Sequence, residues 1–351
     1  IYQAKLTPSM QAILGSLEPI ISDENRFKGS TIFSPSYPSL TFDQLSFLRY
    51  YDVINIHWIQ RILSCEAIAY LSSLGKPVVW TLHDMNPFTG GCHYAGDCKG
   101  YQTECLNCPQ LLNNYDNYPA NVLAAKKRYW SRDMVIVSPS RWLADCARES
   151  SVFKNNRIEV IPNSVDTEIY KPFPEVEARR KLKLPEHDKI LLFTSHSHNE
   201  RRKGFKELLQ TSKLFKDCAR SYHIVTFGEE SSELSELGLD YTALGYVTDQ
   251  ETLALGYSAA DVTVLPTLED NLPNVILESV ACGTPVVAFN SGGVADAVIN
   301  GVTGYTVKQG DCEAFAEYIK RAANEEFLSR CRNYAINHFS LKVQSKRYIE
   351  L

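Results

Sequence analysis

LEDNLPNVILESVACGTPVVAF, residues 268–289, places the polar sequence DNLPN between two apolar runs. The preceding DVTVLPT, residues 261–267, is apolar and predicts a buried strand. PNVILESVA predicts a helix, because Pro273 suits a first helical turn, where its missing N–H costs nothing. Gly283 suits the helix end, and PVVAF begins another strand. The stretch therefore predicts a strand, a polar loop, a helix and a second strand of a parallel sheet.

Short apolar runs alternate with helical patterns along most of the chain. Most runs are apolar throughout, which is typical of strands covered on both faces by helices. The alternation predicts an α/β protein with doubly wound parallel sheets. The predicted strands lie within residues 53–58, 77–84, 134–140, 158–164, 189–195, 222–229, 261–267 and 285–291.

Length and composition indicate two globular domains. The 351 residues are 44% hydrophobic and 22% charged, and domains usually hold roughly 100–200 residues. The proline-containing segment 160–185 separates two sets of strands, and we place the first domain at residues 1–166 and the second at 167–332. No apolar run approaches the roughly 20 residues of a membrane-spanning helix. The net charge of -5 argues against nucleic acid as the main partner.

The loop DNLPN has the features of a nucleotide-sugar site. Ligands of doubly wound sheets bind at the carboxyl ends of strands, and a helix N-terminus offers N–H groups and partial positive charge to a phosphate. Glu278, one turn beyond Asn274, can accept two hydrogen bonds from a vicinal diol, and Asp270 can hold a second hydroxylated group. An N-capping aspartate and a solvated glutamate would give the same pattern, so that alternative stays open.

The segment resembles the signature of the retaining glycosyltransferases of family 4, in which an acid and a later glutamate precede a small-residue turn and Pro-Val-Val. Here the pair is Asp270 and Glu278, with aspartate in place of the usual first glutamate. The resemblance covers nearly the whole chain. Its further landmarks follow in order: SPSRWLAD, IPNSVDTEIYKP, RRKGFKELL, LGYVTDQETLALGYSAADVTVLPT, SGGVADAV and NGVTGY. WTLHDMNPFTGGCHY is similar to the branch that builds bacterial exopolysaccharides and surface glycans.

The resemblance implies the GT-B fold, an α/β architecture with two doubly wound Rossmann-like domains facing across a cleft. It implies that residues 333–351 form a final helix that crosses back to the first domain. It also implies that the N-terminal domain lacks its first βα unit, because the family's glycine-rich loop is not found in this sequence.

The resemblance implies four catalytic residues. Glu278 corresponds to the ribose-binding glutamate, and Asp270 takes the place of the acid that holds donor-sugar hydroxyls. Lys203 corresponds to the lysine that neutralises the donor diphosphate, and His83 to the histidine that contacts the donor sugar. From the residues alone, RRK can instead be the solvated basic start of a helix, and a lone histidine is more often structural; His57 is a weaker candidate. The implied donor-binding positions are Ser195, Arg202, Tyr246, Val247, Asn271, Leu272, Asn274, Gly292 and Gly293.

One departure concerns the phosphate-binding group. The family often has an arginine where this chain has Ser197, and Arg201, Arg202 or His196 can compensate. The predicted reaction transfers a glycosyl group, with retention, from a nucleoside diphosphate sugar to a hydroxyl of a glycan or lipid-linked acceptor. No catalytic metal is expected, because Lys203 and a helix end take its place. The alternatives are a sugar-nucleotide 2-epimerase on the same fold and a truncated, non-catalytic sugar-nucleotide-binding protein.

The predicted location is the cytoplasm, with peripheral contact to the cytoplasmic membrane as an open alternative. AAKKRYWSRD, residues 124–133, is basic with two aromatic side chains. It predicts either a solvated helix face or contact with an anionic membrane surface.

A loop at residues 90–109 contains four clustered cysteines, Cys92, Cys98, Cys105 and Cys108. The final CxxC is typical of a metal knuckle, and four thiolates can form a tetrahedral structural zinc site. His93 is an alternative ligand. Two disulfides or four unlinked thiols are the rival interpretations, although six scattered cysteines elsewhere suit a reducing compartment.

Overall fold

The computed structural model describes residues 15–17, 19–20, 22–27, 29–35, 40–60, 62–195, 200–215, 221–228 and 232–351. The chain divides into two compact units between Val160 and Ile161, close to the predicted boundary after residue 166. We call the N-terminal part unit 1 and the C-terminal part unit 2.

Unit 1 is built on a four-stranded parallel sheet in the order β1-β2-β3-β4. Its core includes Trp80 on β2, whose ring meets Trp130 edge-on at 4.7 Å, while Trp130 stacks on Phe153 at 5.7 Å. The strands are β1 (Ile54–Ile56), β2 (Val78–Thr81), β3 (Val135–Ser138) and β4 (Ile158–Val160), and the described α-helices are α1 (Phe42–Leu45), α2 (Cys65–Ser73), α3 (Tyr118–Tyr129) and α4 (Arg141–Glu149).

Unit 2 is built on a six-stranded parallel sheet in the order β10-β9-β8-β5-β6-β7. The strands are β5 (Lys189–Ser195), β6 (Tyr222–Gly228), β7 (Asp240–Ala243), β8 (Val262–Leu265), β9 (Val286–Phe289) and β10 (Gly304–Val307). The described α-helices are α5 (Glu175–Leu182), α6 (Phe205–Ser212), α7 (Gln250–Ala259), α8 (Asn274–Ala281), α9 (Cys312–Ala322), α10 (Leu328–Phe339) and α11 (Leu341–Ile349).

The strand order of unit 2 changes direction between β5 and β8. From β5 the chain adds β6 and β7 on one side, then returns to β5 and adds β8, β9 and β10 on the other. Such a point is where ligands bind outside the carboxyl ends of the strands, because the loops diverge there and leave a crevice. The loops after β5 and β8 are therefore the ones that the fold places at a ligand site.

Arg332 on α10 holds the segment that precedes α5 against the rest of unit 2. Its guanidinium donates to the carbonyl oxygens of Thr167 and Tyr170 at 2.8 Å and of Ala281 at 3.0 Å. In α11, Gln344 accepts from the hydroxyl of Ser164 at 2.7 Å. The last two helices thus hold the start of unit 2 against α8.

The α/β prediction is confirmed, and each of the eight predicted runs contains a strand. Most strands end earlier than predicted, because the polar and proline residues at their carboxyl ends leave the ladder. Two strands were missed, β7 (DYTA) and β10 (GYTV). Both lie at the edges of the sheet, and each has only four residues, with polar residues or glycine among them. Among the described residues, no helix combines the length and apolar character needed to cross a membrane.

Candidate functional site

A cluster of charged side chains lies at the direction change of the unit 2 sheet. Lys203, in a short 3₁₀-helix after β5, places its Nζ 2.7 Å from Oδ2 of Asp270 in the loop after β8. Arg202 places Nη1 3.0 Å from the same oxygen. Asp270 is buried, and a buried carboxylate needs such partners to remain charged. The structure therefore brings three predicted site residues together.

Backbone contacts hold the two loops in this arrangement. The N–H of Leu268 donates to the carbonyl oxygen of Arg202 at 2.7 Å, and the hydroxyl of Thr267 donates to the same oxygen at 3.0 Å. Gly204 has φ +75°, and a Cβ there would lie 1.8 Å from the carbonyl oxygen of Pro266. Only glycine allows this approach without displacing the backbone, so RRKG fixes the position of both cations.

Gly292 and Gly293 support the Asp270 loop from the other side. Gly292 has φ +52°, and a Cβ there would lie 2.0 Å from the carbonyl oxygen of Asp270. The N–H of Gly293 donates to that oxygen at 2.9 Å, and the hydroxyl of Ser291 donates to the carbonyl oxygen of Thr267 at 2.7 Å. These glycines let the loop after β9 approach the backbone that places the Asp270 carboxylate.

Glu278 lies on α8, and its Oε2 accepts a hydrogen bond from the hydroxyl of Tyr257 at 2.7 Å. Burial raises the pKa of Glu278, and the hydrogen bond from Tyr257 opposes that rise. The Tyr257 ring on α7 is buried and fixes one oxygen of the carboxylate. A buried carboxyl group with a shifted pKa, whose orientation is fixed by a neighbouring side chain, is a candidate for ligand binding.

The N-terminus of α8 faces the same loop. Pro273 is its N-cap, and no side chain in the described part of the chain caps this end of the helix. Asn163, from the start of unit 2, donates to the carbonyl oxygen of Leu272 at 3.3 Å and to Oδ1 of Asn274 at 3.2 Å. Sequence reasoning missed both Asn163 and Tyr257 as site residues. Asn163 lies within the landmark IPNSVDTEIYKP and Tyr257 within LGYVTDQETLALGYSAADVTVLPT, so the available signal for both was their place in those matches.

The remaining predicted residues of unit 2 fall into three groups: two lie apart from the charged cluster, two directly follow Asp270, and one has a side chain outside the described structure. Tyr246 is exposed and Val247 half-buried; both follow β7, two strands away from β5. Asn271 and Leu272 are buried in the loop after β8. Ser195 is the last residue of β5, and its side chain lies outside the described part of the structure, as do His196 and Ser197.

In unit 1, His83 follows β2 and His57 follows β1. Nδ1 of His57 lies 3.0 Å from Nε2 of His83, and the rings are 5.3 Å apart. Burial lowers the pKa of both imidazoles, and the neighbouring His57 lowers that of His83 further. The weaker candidate is thus the direct partner of the stronger one.

His93 is excluded as a spare metal ligand. Its Nδ1 lies 2.6 Å from Oδ2 of buried Asp84, and its Nε2 lies 2.8 Å from the hydroxyl of Ser34. Both ring nitrogens are therefore occupied. This network ties residue 34 to the loop after β2.

The four clustered cysteines line one cavity of unit 1. They carry free thiols, as do the other cysteines in the part of the chain that the structure describes. Burial raises the pKa of Cys105 to about 11 and raises that of Cys108. As the side chains stand, no group of three or more His, Cys, Asp or Glu residues among those described has the geometry of a metal site.

The basic segment 124–133 differs from its prediction at its centre. Lys126 on α3 is buried and donates to the carbonyl oxygens of Asn86 at 2.5 Å and Thr89 at 2.9 Å. Burial lowers the pKa of Lys126 to about 8. Trp130 is buried as well. Neither side chain is available to a membrane surface or to solvent.

Two family models match this chain. The model described as Glycosyltransferase Family 4 matches residues 24–169, and the model described as Glycosyl transferases group 1 matches residues 188–325. Together they span most of both units. The chain belongs to the family 4 glycosyltransferases, whose two domains these models describe.

Curated relatives agree with that membership. The chain is 26% identical, over 74% of its length and 64% of the relative's, to a protein of Escherichia coli K12 provisionally described as colanic acid biosynthesis glycosyl transferase WcaC. It is 29% identical to the D-inositol 3-phosphate glycosyltransferase of Thermobispora bispora, over 76% of this chain and 61% of that protein. The chain thus spans less than two thirds of the length of these relatives.

Solved structures confirm the GT-B fold. Sucrose-phosphate synthase from Thermosynechococcus elongatus matches with a TM-score of 0.64 and 20% identity, over 88% of this chain and 75% of that one. Anabaena HepE, solved in complex with UDP-glucose, matches with a TM-score of 0.64 and 17% identity, over 88% of this chain and 80% of that one. The two parallel sheets of this chain, with four and six strands, correspond to the two Rossmann-like domains of the GT-B fold.

Proposed function

We propose that this chain is a retaining glycosyltransferase of bacterial polysaccharide biosynthesis. It moves a sugar from a nucleoside diphosphate sugar to a hydroxyl of a glycan or lipid-linked acceptor. The observation that supports this best is the meeting of Lys203, Arg202 and Asp270 at the direction change of the unit 2 sheet. Sheets of this kind bind their ligands there.

The charges at this point suit a diphosphate. Asp270 lies between two cations, and Arg202 also contacts Glu200 at 2.7 Å. The Asp270 carboxylate holds the Lys203 ammonium in place near the uncapped N-terminus of α8. A positioned ammonium and free helix N–H groups together stabilise the charge that develops on a leaving diphosphate, without a proton transfer. We infer that Lys203 has this role and that a catalytic metal is not required.

Glu278 suits the nucleoside part of the donor. The Tyr257 hydroxyl occupies its Oε2, and a carboxylate has further acceptor capacity for a vicinal diol. The complex of Anabaena HepE with UDP-glucose supports a nucleotide-sugar donor for a chain with this fold. The relation to WcaC supports a polysaccharide product. We propose that His83, held by His57, contacts the donor sugar.

The test is release of nucleotide from UDP-, GDP- and ADP-sugars by the wild type, Lys203→Ala and Lys206→Ala. Lys206 is an exposed lysine on α6 and serves as the matched control. Removing one positioned donor that stabilises developing negative charge costs about 2.7–4 kcal/mol in an oxyanion hole, or roughly a hundredfold to a thousandfold in rate. We expect that loss for Lys203→Ala and an unchanged rate for Lys206→Ala. Equal rates for both variants, or an absolute need for added divalent cation, would contradict the charge assignment.

A further inference from the structure

The cysteine-lined cavity of unit 1 lies outside the donor site and has features of its own. Cys92, Cys98, Cys105 and Cys108 border a cavity of about 20 Å³. A volume of that size admits about one water-sized sphere. Four soft sulfur donors around a space for one small particle are the ligand set that structural zinc prefers.

The backbone between the second and third cysteines is shaped to bring them together. The N–H of Gly100 donates to Sγ of Cys98 at 3.4 Å. A Cβ on Gly100 would lie 3.2 Å from Cα of Cys105 and 3.4 Å from Sγ of Cys98. The N–H of Cys105 donates to the carbonyl oxygen of Gly100 at 2.9 Å. A residue without a side chain thus closes this turn between the two thiols.

The final CxxC turn is held in an uncommon conformation. Cys105 has φ +54° and Asn107 has φ +51°. Residues other than glycine adopt this left-handed region at an energetic cost, and such residues concentrate where the chain is shaped for a ligand. Two of them flank a single residue inside this CxxC.

The N–H of Gly100, which donates to Sγ of Cys98 at 3.4 Å, also bears on metal binding. Such hydrogen bonds orient ligand atoms and stabilise their negative charge in metal sites. They contribute little to neutral thiols, which are weak acceptors.

A buried cation lies beside the segment that leads to Cys92. Lys126 donates to the carbonyl oxygens of Asn86 and of Thr89, which is three residues before Cys92. Four thiolates around one Zn²⁺ have a net charge of −2. Because uncompensated charge is costly inside a protein, the Lys126 ammonium would offset part of it.

We propose that Cys92, Cys98, Cys105 and Cys108 bind one structural Zn²⁺ that fixes the loop at residues 90–109. On binding, four thiols release four protons and form four zinc–sulfur bonds, with no change of oxidation state. The sulfurs do not yet have metal-site geometry, so the side chains must rotate inward to close the tetrahedron. His93 takes no part, because Asp84 and Ser34 occupy its ring.

The first measurement is the zinc content of the full chain, produced with zinc in the medium and purified without chelator. We expect about one zinc per chain, as in closed four-ligand sites. Cys98→Ser and Cys108→Ser should lose it, and Cys312→Ser should keep it. Cys312 is a half-buried thiol of unit 2 with no place in the cavity lining and is the matched control.

The second measurement needs no variant and therefore does not depend on how the variants fold. Reduced wild-type chain, freed of metal, is titrated with Co²⁺ and followed by absorption spectroscopy. We expect the intense bands of tetrahedral thiolate coordination, which one equivalent of Zn²⁺ should abolish. Absence of zinc together with absence of these bands would overturn the proposal. Disulfides found between these cysteines by mass spectrometry under alkylating, non-reducing conditions would also overturn it, as would full zinc retention by both cluster variants.

Discussion

Gly292→Ala should destabilise unit 2 far more than an ordinary glycine substitution. The left-handed backbone at φ +52° costs an L residue about 1–2 kcal/mol. The new Cβ would also lie 2.0 Å from the carbonyl oxygen of Asp270, so that loop must move. Displacement costs about 1–3 kcal/mol in a packed region, and loss of the Gly293 hydrogen bond to Asp270 about 1 kcal/mol more.

Gly301→Ala separates these causes. Gly301 has φ +74°, but a Cβ there would meet nothing within 4 Å. It therefore carries the backbone cost alone. The expected excess for Gly292→Ala is about 2–4 kcal/mol in free energy of unfolding, or roughly 4–16 °C in melting temperature at about 2–4 °C per kcal/mol.

The assay is differential scanning calorimetry of the wild type and both variants. Hydrogen exchange of peptides from residues 262–290 assigns the transition to unit 2. Equal melting temperatures for the two variants would refute the reasoning, because the close contact with Asp270 would then have no energetic consequence.

Two further predictions follow from the buried titratable groups. Because burial raises the pKa of Glu278, its contribution to folding is present at low pH and is lost as pH rises through the folded-state pKa. Glu278→Gln keeps an acceptor for the Tyr257 hydroxyl. Its free energy of unfolding, relative to that of the wild type, should therefore increase between about pH 4.5 and 7. Urea unfolding at both pH values measures this difference, and a difference that does not change with pH would contradict the prediction. His57→Ala should raise the pKa of His83, because the neighbouring imidazole contributes to lowering it; NMR titration of the remaining ring measures this, and an unchanged or lower pKa would show that the contact has no electrostatic effect.

The local fold around residues 261–289 could be predicted from sequence because its signals are local. A short apolar run, a proline at a first turn and a glycine at a helix end each act within a few residues. The edge strands β7 and β10 were missed, because polar residues and glycine interrupt DYTA and GYTV and leave no continuous apolar run.

The partners of the site residues could not be predicted from local pattern. The Asp270 loop meets Lys203 only because β8 pairs with β5 rather than with β7, and strand order is a long-range property. The same holds for the contact of Tyr257 with Glu278, which depends on how α7 packs beside α8. The resemblance to the family made the acids and the lysine candidates, and the three-dimensional arrangement shows which residues hold their side chains.

The basic segment around Lys126 shows a different limit. Its composition predicts a surface, because buried lysines are rare. The structure buries this lysine by giving its ammonium two carbonyl acceptors. These acceptors lie in the loop after β2, about 40 residues before Lys126, so the sequence around the lysine does not indicate them.

The most direct test of the central proposal is calorimetric titration of UDP, GDP and ADP into the wild type, Glu278→Gln and Glu251→Gln. Glu251 is an exposed carboxylate on α7 and is the control. Hydrogen bonds to a charged group are worth about 1.5–3 kcal/mol, so Glu278→Gln should weaken binding roughly tenfold to a hundredfold. We expect one nucleotide to bind the wild type and Glu251→Gln equally and to bind Glu278→Gln more weakly by that factor. Equal binding by all three proteins, or binding of none of the nucleotides to the folded wild type, would contradict it.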